Sequence, residues 1–197
     1  MSTVHQQKTS SSRANNVWIE GITTVGLSLI LALGIRTFVA EARYVPSGSM
    51  EPTIQPNDRL VVDKISYDFS SPRRGDIVVF NPTKTLQAEN YHEAFIKRVI
   101  GLPGEKVEVK NGQVYVNGSP LKENYIEAKP NYQWGPVIVP ANSYLVLGDN
   151  RNDSFDSHYW GFVPRNNIIG KALFRFFPFN SIGEFHRPVY VSSYTKN

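Results

Sequence analysis

The chain from about residue 41 to residue 185 predicts a mainly β domain, and three observations carry that expectation. The segments "DRLVVDKISY", "GDIVVFNP", "AFIKRVIG", "EKVEVKNGQVYVNG", "YLVLGDN" and "KALFRFFPF" are short, rich in Val, Ile, Phe and Tyr, and bounded by Gly, Pro, Asn or Asp, as strands are. No long stretch of helical period separates them. Asn111-Gly112 sits between "KVEVK" and "QVYVN", the dipeptide preferred in a two-residue hairpin because both residues take positive φ there. With 41% hydrophobic and 12% aromatic residues among 197, such a domain has material for a core.

Residues 1–16, "MSTVHQQKTSSSRANN", are polar and lack an apolar period, so a disordered tail is expected. Residues 17–40, "VWIEGITTVGLSLILALGIRTFVA", are apolar or small apart from a few polar positions, with charges only at Glu20 and Arg36. Spanning a bilayer takes about 20 predominantly apolar residues, which this run supplies if Arg36 snorkels to the interface. The rival is a cleaved leader, with Lys8 and Arg13 as its basic start and Ala40-Glu41-Ala42 as a small-x-small site. A leader's apolar core is usually only about 7 to 15 residues, so length favours a retained transmembrane anchor. Basic residues are similar in number at both ends, and charge counting does not set the orientation. Residues 186–197, "HRPVYVSSYTKN", are expected to form a C-terminal tail.

Composition excludes further classes. The net charge of +4 is scattered, with no basic block interleaved with aromatics, so no nucleic-acid groove is expected. Cysteine is absent, which removes disulfides, thiolate metal sites and a cysteine nucleophile. The loop "GDNRNDSFDSHYWGFVP" begins with Asp149 but has Arg151 at its third position and no glycine at its sixth, so it is no EF-hand calcium loop. No metal or cofactor is expected.

Chemistry concentrates in three segments. In "PSGSMEP" two prolines stiffen a turn around Ser47, Gly48 and Ser49, and Gly48 allows another backbone to come close. Such a turn can expose a hydroxyl and aim neighbouring donors at one point, but local chemistry does not distinguish Ser47 from Ser49. A serine needs a base. Of the four histidines, only His158, near Asp153 and Asp156, suggests a Ser-His-Asp set, and sequence neighbours seldom assemble a triad. The other candidate is Lys97 in "AFIKRVIG". On a strand it shares a face with Phe95 and Val99, and desolvation there would disfavour its ammonium form. Bringing a lysine from about 10.4 to roughly 7 or 8 takes about 4 kcal/mol, within what burial supplies. Alternatively Lys97 is an edge-strand lysine that blocks aggregation. In the third segment Ser154 could orient a lysine base.

Taken in order, the apolar run, "PSGSMEPT", "RGDIVVF", "FIKRVIGLPGEKV", "VYVNG" and "GDNRNDSFDSHYWGFVP" make the chain resemble the bacterial type I signal peptidase family. Singly these motifs are weak; in this order, from residue 17 to about 180, they are specific. The resemblance implies that Ser49 is the nucleophile, Lys97 the general base, Ser47 a second oxyanion donor, Ser154 the hydroxyl that orients the lysine and Asp156 an acidic brace. It also implies apolar pocket positions at Val45, Met50 and Ile96, with preprotein signal peptides bound extended and cut after small-x-small sites. It favours a retained single transmembrane helix in the lipid bilayer of the plasma or thylakoid membrane, the catalytic domain on the exported side. A small inserted β subdomain around Asn111-Gly112 is implied as well. Where many members have "DSR" this chain has "DSH", so His158 stands in for the usual arginine beside Asp156; that form resembles cyanobacterial members and plastid processing peptidases. Self-cleaving SOS repressor proteases share a Ser-Lys dyad but are soluble, and a noncatalytic tethered β module would make both residues incidental.

Overall fold

A computed structural model describes residues 10–34 and 39–190 of the chain, with side chains from residue 18. It divides into two compact units, residues 1–39 and 40–197. The first contains α1 (Ser10–Gly34). Ser10 to Asn16, expected in the polar tail, instead extend this helix, since propagating an existing helix adds a hydrogen bond for each residue fixed. Trp18, Ile19, Ile22, Val25, Leu27, Leu29, Ile30, Leu31 and Leu33 are each at least 60% exposed. Among the described residues no helix is long and apolar enough to cross a membrane. The apolar run continues through 35–38, which lie outside the described residues, as do 1–9 and 191–197.

The second unit is the expected β domain. Its strands are β1 (Ala40–Tyr44), β2 (Arg59–Asp63), β3 (Ile77–Phe80), β4 (Phe95–Gly101), β5 (Lys106–Lys110), β6 (Gln113–Val116), β7 (Ser119–Pro120), β8 (Trp134–Ile138), β9 (Ser143–Leu147), β10 (Val163–Pro164), β11 (Ile168–Phe177) and β12 (Gly183–Glu184). A large sheet runs β1-β2-β11-β3-β4-β9-β10, with β12 on β11, and a smaller one runs β7-β6-β5-β8. The smaller sheet lies wholly between β4 and β9 in the chain, the inserted subdomain that the resemblance implied. Its central hairpin turns at Asn111 and Gly112 with φ of 52° and 71°, the positive pair that a primed turn demands.

Short helices interrupt the pattern: α2 (Ser66–Phe69), α3 (Lys84–Ala88) and α4 (Ser157–Trp160). The segment "DRLVVDKISY" is therefore only half strand. Asp63 Oδ1 accepts from the Ile65 and Ser66 N–H groups at 2.9 and 3.0 Å, turning the chain out of β2 into α2 as an Asx turn does.

Two packed clusters fix the site. Val45, Met50, Ile54, Leu60, Ile77 and Ala172 form one beneath the Ser47–Ser49 turn. Ile100, Leu145 and Leu147 of the large sheet meet Val107, Val109, Val114, Val116 and Val139 in another, which fastens the insert to β4 and β9. Gly101 makes that approach possible, since a Cβ there would stand 2.8 Å from Val107 and 2.9 Å from Val139. The expected C-terminal tail is tied down over its described part. Arg187 Nε and Nη2 donate to Asp76 Oδ1 at 3.0 and 2.7 Å, and the Tyr190 and Tyr125 hydroxyls lie 3.0 Å apart.

Candidate active site

β4 lies inside the large sheet, and its side chains from Lys97 onward are buried on both faces. Lys97 and Arg98 are successive residues and point to opposite faces, and both are buried, 3% and 2% exposed. The edge-lysine alternative fails on burial: β9 pairs with β4 only from Arg98 onward, yet Lys97 is almost fully covered and its amine turns to Ser49 rather than to solvent.

Lys97 Nζ lies 2.7 Å from Ser49 Oγ and donates to the Ile96 carbonyl at 3.1 Å. Burial lowers the lysine to about 8, against an opposing pull from the Asp156 and Asp149 carboxylates. Ser49 is itself buried, on the turn between Val45 and Ile54. Val45 N–H donates to Asp58 O at 2.9 Å and Glu51 N–H to Gly48 O at 3.0 Å, which pins both ends of the turn. Ser47 is exposed at the rim, its Oγ 3.5 Å from Ser49 Oγ. The Ser49 hydroxyl, a depressed amine and a second hydroxyl thus converge on one point, an arrangement able to deprotonate a serine and hold an oxyanion.

The loop after β9 closes the site from behind. Asn150 N–H donates to Ser49 O at 3.1 Å, and Asn150 Nδ2 to Gly48 O at 3.3 Å. Gly148 has no room for a side chain: a Cβ there would sit 2.2 Å from Ser154 Oγ and 2.4 Å from Ser49 O. Asp156, fully buried, accepts from the Gly148 N–H at 2.9 Å through Oδ2, while Oδ1 caps α4 at the His158 N–H and meets His158 Nδ1 at 2.6 Å. His158 is thus the side chain that pairs with this carboxylate.

Two expected roles are met differently. The Ser154 hydroxyl is buried but makes no hydrogen bond among the described residues; it rests against Gly148, and Lys97 is held by Ser49 and Ile96. Met50 is fully buried, packed with Val45, Ile54 and Leu60 in the cluster under the turn, while Ser47 stays at the surface. It lines neither cavity. Ile96 lines both: one of about 380 Å³ that includes Ser47, Ser49, Lys97, Tyr91 and Phe155, and one of about 310 Å³ that includes Val45 and Val79. Along Phe95 to Lys97, β3 occupies one edge and β9 has not yet begun to pair, leaving an edge where an extended peptide could add as a strand.

Sequence reasoning missed the support beneath. Arg98 Nε and Nη2 donate to Asp149 Oδ1 and Oδ2 at 2.7 and 2.6 Å, Arg98 Nη1 to Gly75 O at 2.8 Å, and Thr53 Oγ1 to Asp149 Oδ2 at 2.6 Å. Burial alone would lower the guanidinium, but the Asp149 hydrogen bonds and charge raise it. Arg151 Nη1 and Nη2 donate to the Glu123 carboxylate at 2.7 and 2.6 Å, and Arg151 Nε to Gly148 O at 3.0 Å. The signal was present in "IKRV": an interior strand with two adjacent cations must bury one on each face, and a buried guanidinium needs a carboxylate. Among the described residues no group of His, Asp and Glu side chains is placed to hold a metal ion.

The profile of the family described as signal peptidase, peptidase S26, matches residues 18–177. The chain belongs to that family. It is 63% identical over 185 residues to "Signal peptidase I" of Leptolyngbya laminosa, covering 93% of this chain and 91% of that one. It is 38% identical over 167 residues to "Thylakoidal processing peptidase 1, chloroplastic" of Arabidopsis thaliana, covering 82% and 48%, and 37% identical over 188 residues to "Signal peptidase I" of Bacillus amyloliquefaciens, covering 90% and 96%. A crystal structure of a signal peptidase I from Enterococcus faecalis V583 aligns at TM-score 0.42 and 33% identity, over 52% of this chain and 97% of that one. The chain is accordingly a serine endopeptidase, a hydrolase acting as a signal peptidase I.

Proposed function

We propose that the enzyme cleaves preproteins with a Ser49–Lys97 dyad, anchored by its N-terminal apolar segment. The observation that carries the dyad is the 2.7 Å approach of a buried Lys97 Nζ to Ser49 Oγ, with burial holding the amine at about 8. As the neutral amine, Lys97 accepts the Ser49 proton while Oγ attacks the scissile carbonyl. The negative charge that develops on the carbonyl oxygen is met by the Ser49 N–H, which no hydrogen bond consumes among the described residues, and by the Ser47 hydroxyl at the rim. The ammonium of Lys97 then gives its proton to the leaving amine. Lys97 next takes a proton from water, which releases the acyl group.

The substrate lies extended along the open edge of Phe95–Lys97, its backbone read first and alternate side chains entering the cavities that Ile96 divides. Anchoring is supported by α1, whose exposed apolar side chains spread around about two thirds of its circumference rather than in one narrow stripe. A helix of that kind has no face to give to a soluble core. Relatives named for the thylakoid support a membrane association; the catalytic domain is proposed to lie on the exported side.

Cleavage of a purified preprotein by the detergent-solubilised full chain tests the dyad. Ser49→Ala and Lys97→Ala should each abolish product while keeping the parent's circular dichroism; full activity in either removes that residue from the mechanism.

A further inference from the structure

The inserted subdomain does more than decorate the large sheet: the segment from residue 121 to 132 is stitched to the catalytic loop at three places. Glu123 holds Arg151. Asn131 N–H donates to Asn152 Oδ1 at 2.8 Å while Asn152 Nδ2 donates to Lys129 O at 3.0 Å. Tyr132, packed against the cluster that joins the two sheets, lays its ring on the His158 imidazole with centroids 4.4 Å apart and planes within 11°.

The third stitch touches the chemistry. His158 is boxed by the Tyr132 ring on one side and by Tyr159, 3.9 Å between centroids, on another. Its Nδ1 is thereby presented to Asp156 Oδ1 at 2.6 Å, and the other Asp156 oxygen holds the Gly148 N–H. Asp156 is one of two carboxylates whose charge acts on Lys97, Asp149 being the other. The Tyr132 hydroxyl is buried without a hydrogen-bond partner, so the ring rather than the OH is what this contact uses. The remaining charged groups around Tyr132 are Arg151 and Glu123, which neutralise each other.

We infer that Tyr132 is a positioning residue for the catalytic lysine: stacked on His158, it fixes the Asp156 carboxylate and, through it, the charge environment of Lys97 and the seat of Gly148. The inference rests on Lys97 being the base. Removing the ring frees His158 to turn, lets Asp156 drift from Lys97, and weakens a field that favours the ammonium form.

The test uses the detergent-solubilised full chain and a preprotein substrate. In the parent, kcat/KM should climb with pH and level off above about 8. In Tyr132→Leu, kcat should fall about tenfold with KM unchanged, the scale of a sub-ångström misplacement, and the acid limb should move to lower pH by about half a unit. Tyr132→Phe keeps the ring and should restore both kcat and the parent pH profile. Tyr132→Met, which fills the space without a ring, replaces the leucine variant if that one does not fold. A ringless variant with the parent's kcat and acid limb overturns the inference, as does a phenylalanine variant as impaired as the leucine one. Lys97→Ala run alongside separates the two readings: activity there sinks the dyad, whereas an inactive Lys97→Ala with an unmoved Tyr132→Leu profile removes only the role of Tyr132.

Discussion

Lys97 and Arg98 follow one another on β4, both cationic by type and both buried, and the protein treats them in opposite ways. Arg98 is given a two-pronged carboxylate in Asp149, a carbonyl in Gly75 and the face of the Tyr125 ring at 4.2 Å, so its charge is kept and used as a strut. Lys97 is given a hydroxyl and a carbonyl but no carboxylate in contact, so burial makes its charge easier to lose, at about 8 rather than 10.5. The difference teaches that a buried cation is neither structural nor catalytic by itself. Its partner decides.

Exchanging the first cation for the second kind should break that division most. Lys97→Arg keeps a base-sized cation at the site but one that stays protonated at every working pH. Preprotein cleavage should fall by about 10²–10⁴-fold, the usual contribution of a general base, and a fully active Lys97→Arg would mean that deprotonation there is irrelevant. Next comes the strut. Arg98→Leu leaves Asp149 buried with only Thr53 among the described side chains to donate, and urea unfolding should show a loss of about 3–5 kcal/mol. Most of that loss should return in Arg98→Leu with Asp149→Leu, since an apolar pair replaces a buried ion pair at little cost; no recovery would show that the pair holds the loop in another way.

The smallest effect concerns stability against pH. Lys97 is depressed from 10.5 to about 8 in the folded protein, so between these values the unfolded chain binds more protons and stability rises with pH. Below about 8 the lysine is charged in both states and the full penalty, about 3 kcal/mol, is present. Lys97→Met should therefore be more stable than the parent near neutral pH by up to that amount, with the advantage gone by about pH 10.5. Equal stabilities at pH 7 would mean that the folded protein solvates the ammonium after all.

Parts of this division were legible beforehand. Alternation in "AFIKRVIG" put Lys97 among apolar neighbours, and Asn111-Gly112 marked the insert's hairpin, because period and turn chemistry are local properties. Arg98 and Asp149 were not paired in advance, being 51 positions apart on segments whose adjacency depends on β9 joining β4 across the whole insert. Met50 was misjudged for a related reason: a turn held by its ends can point a flanking side chain inward or outward, and only the cluster of Val45, Ile54, Leu60 and Ala172 sets which.

By itself the sequence determined the β class and most of the central strands, the turn that carries two serines and the apolar N-terminal run, since backbone preference and hydrophobic period are written residue by residue. Only the tertiary structure decided that Ser49 rather than Ser47 meets the amine, that Arg98 is braced while Lys97 is not, and that a tyrosine of the insert reaches the catalytic loop. Each of these depends on which distant groups share a low-dielectric space, and that is fixed only when the sheets have closed around them.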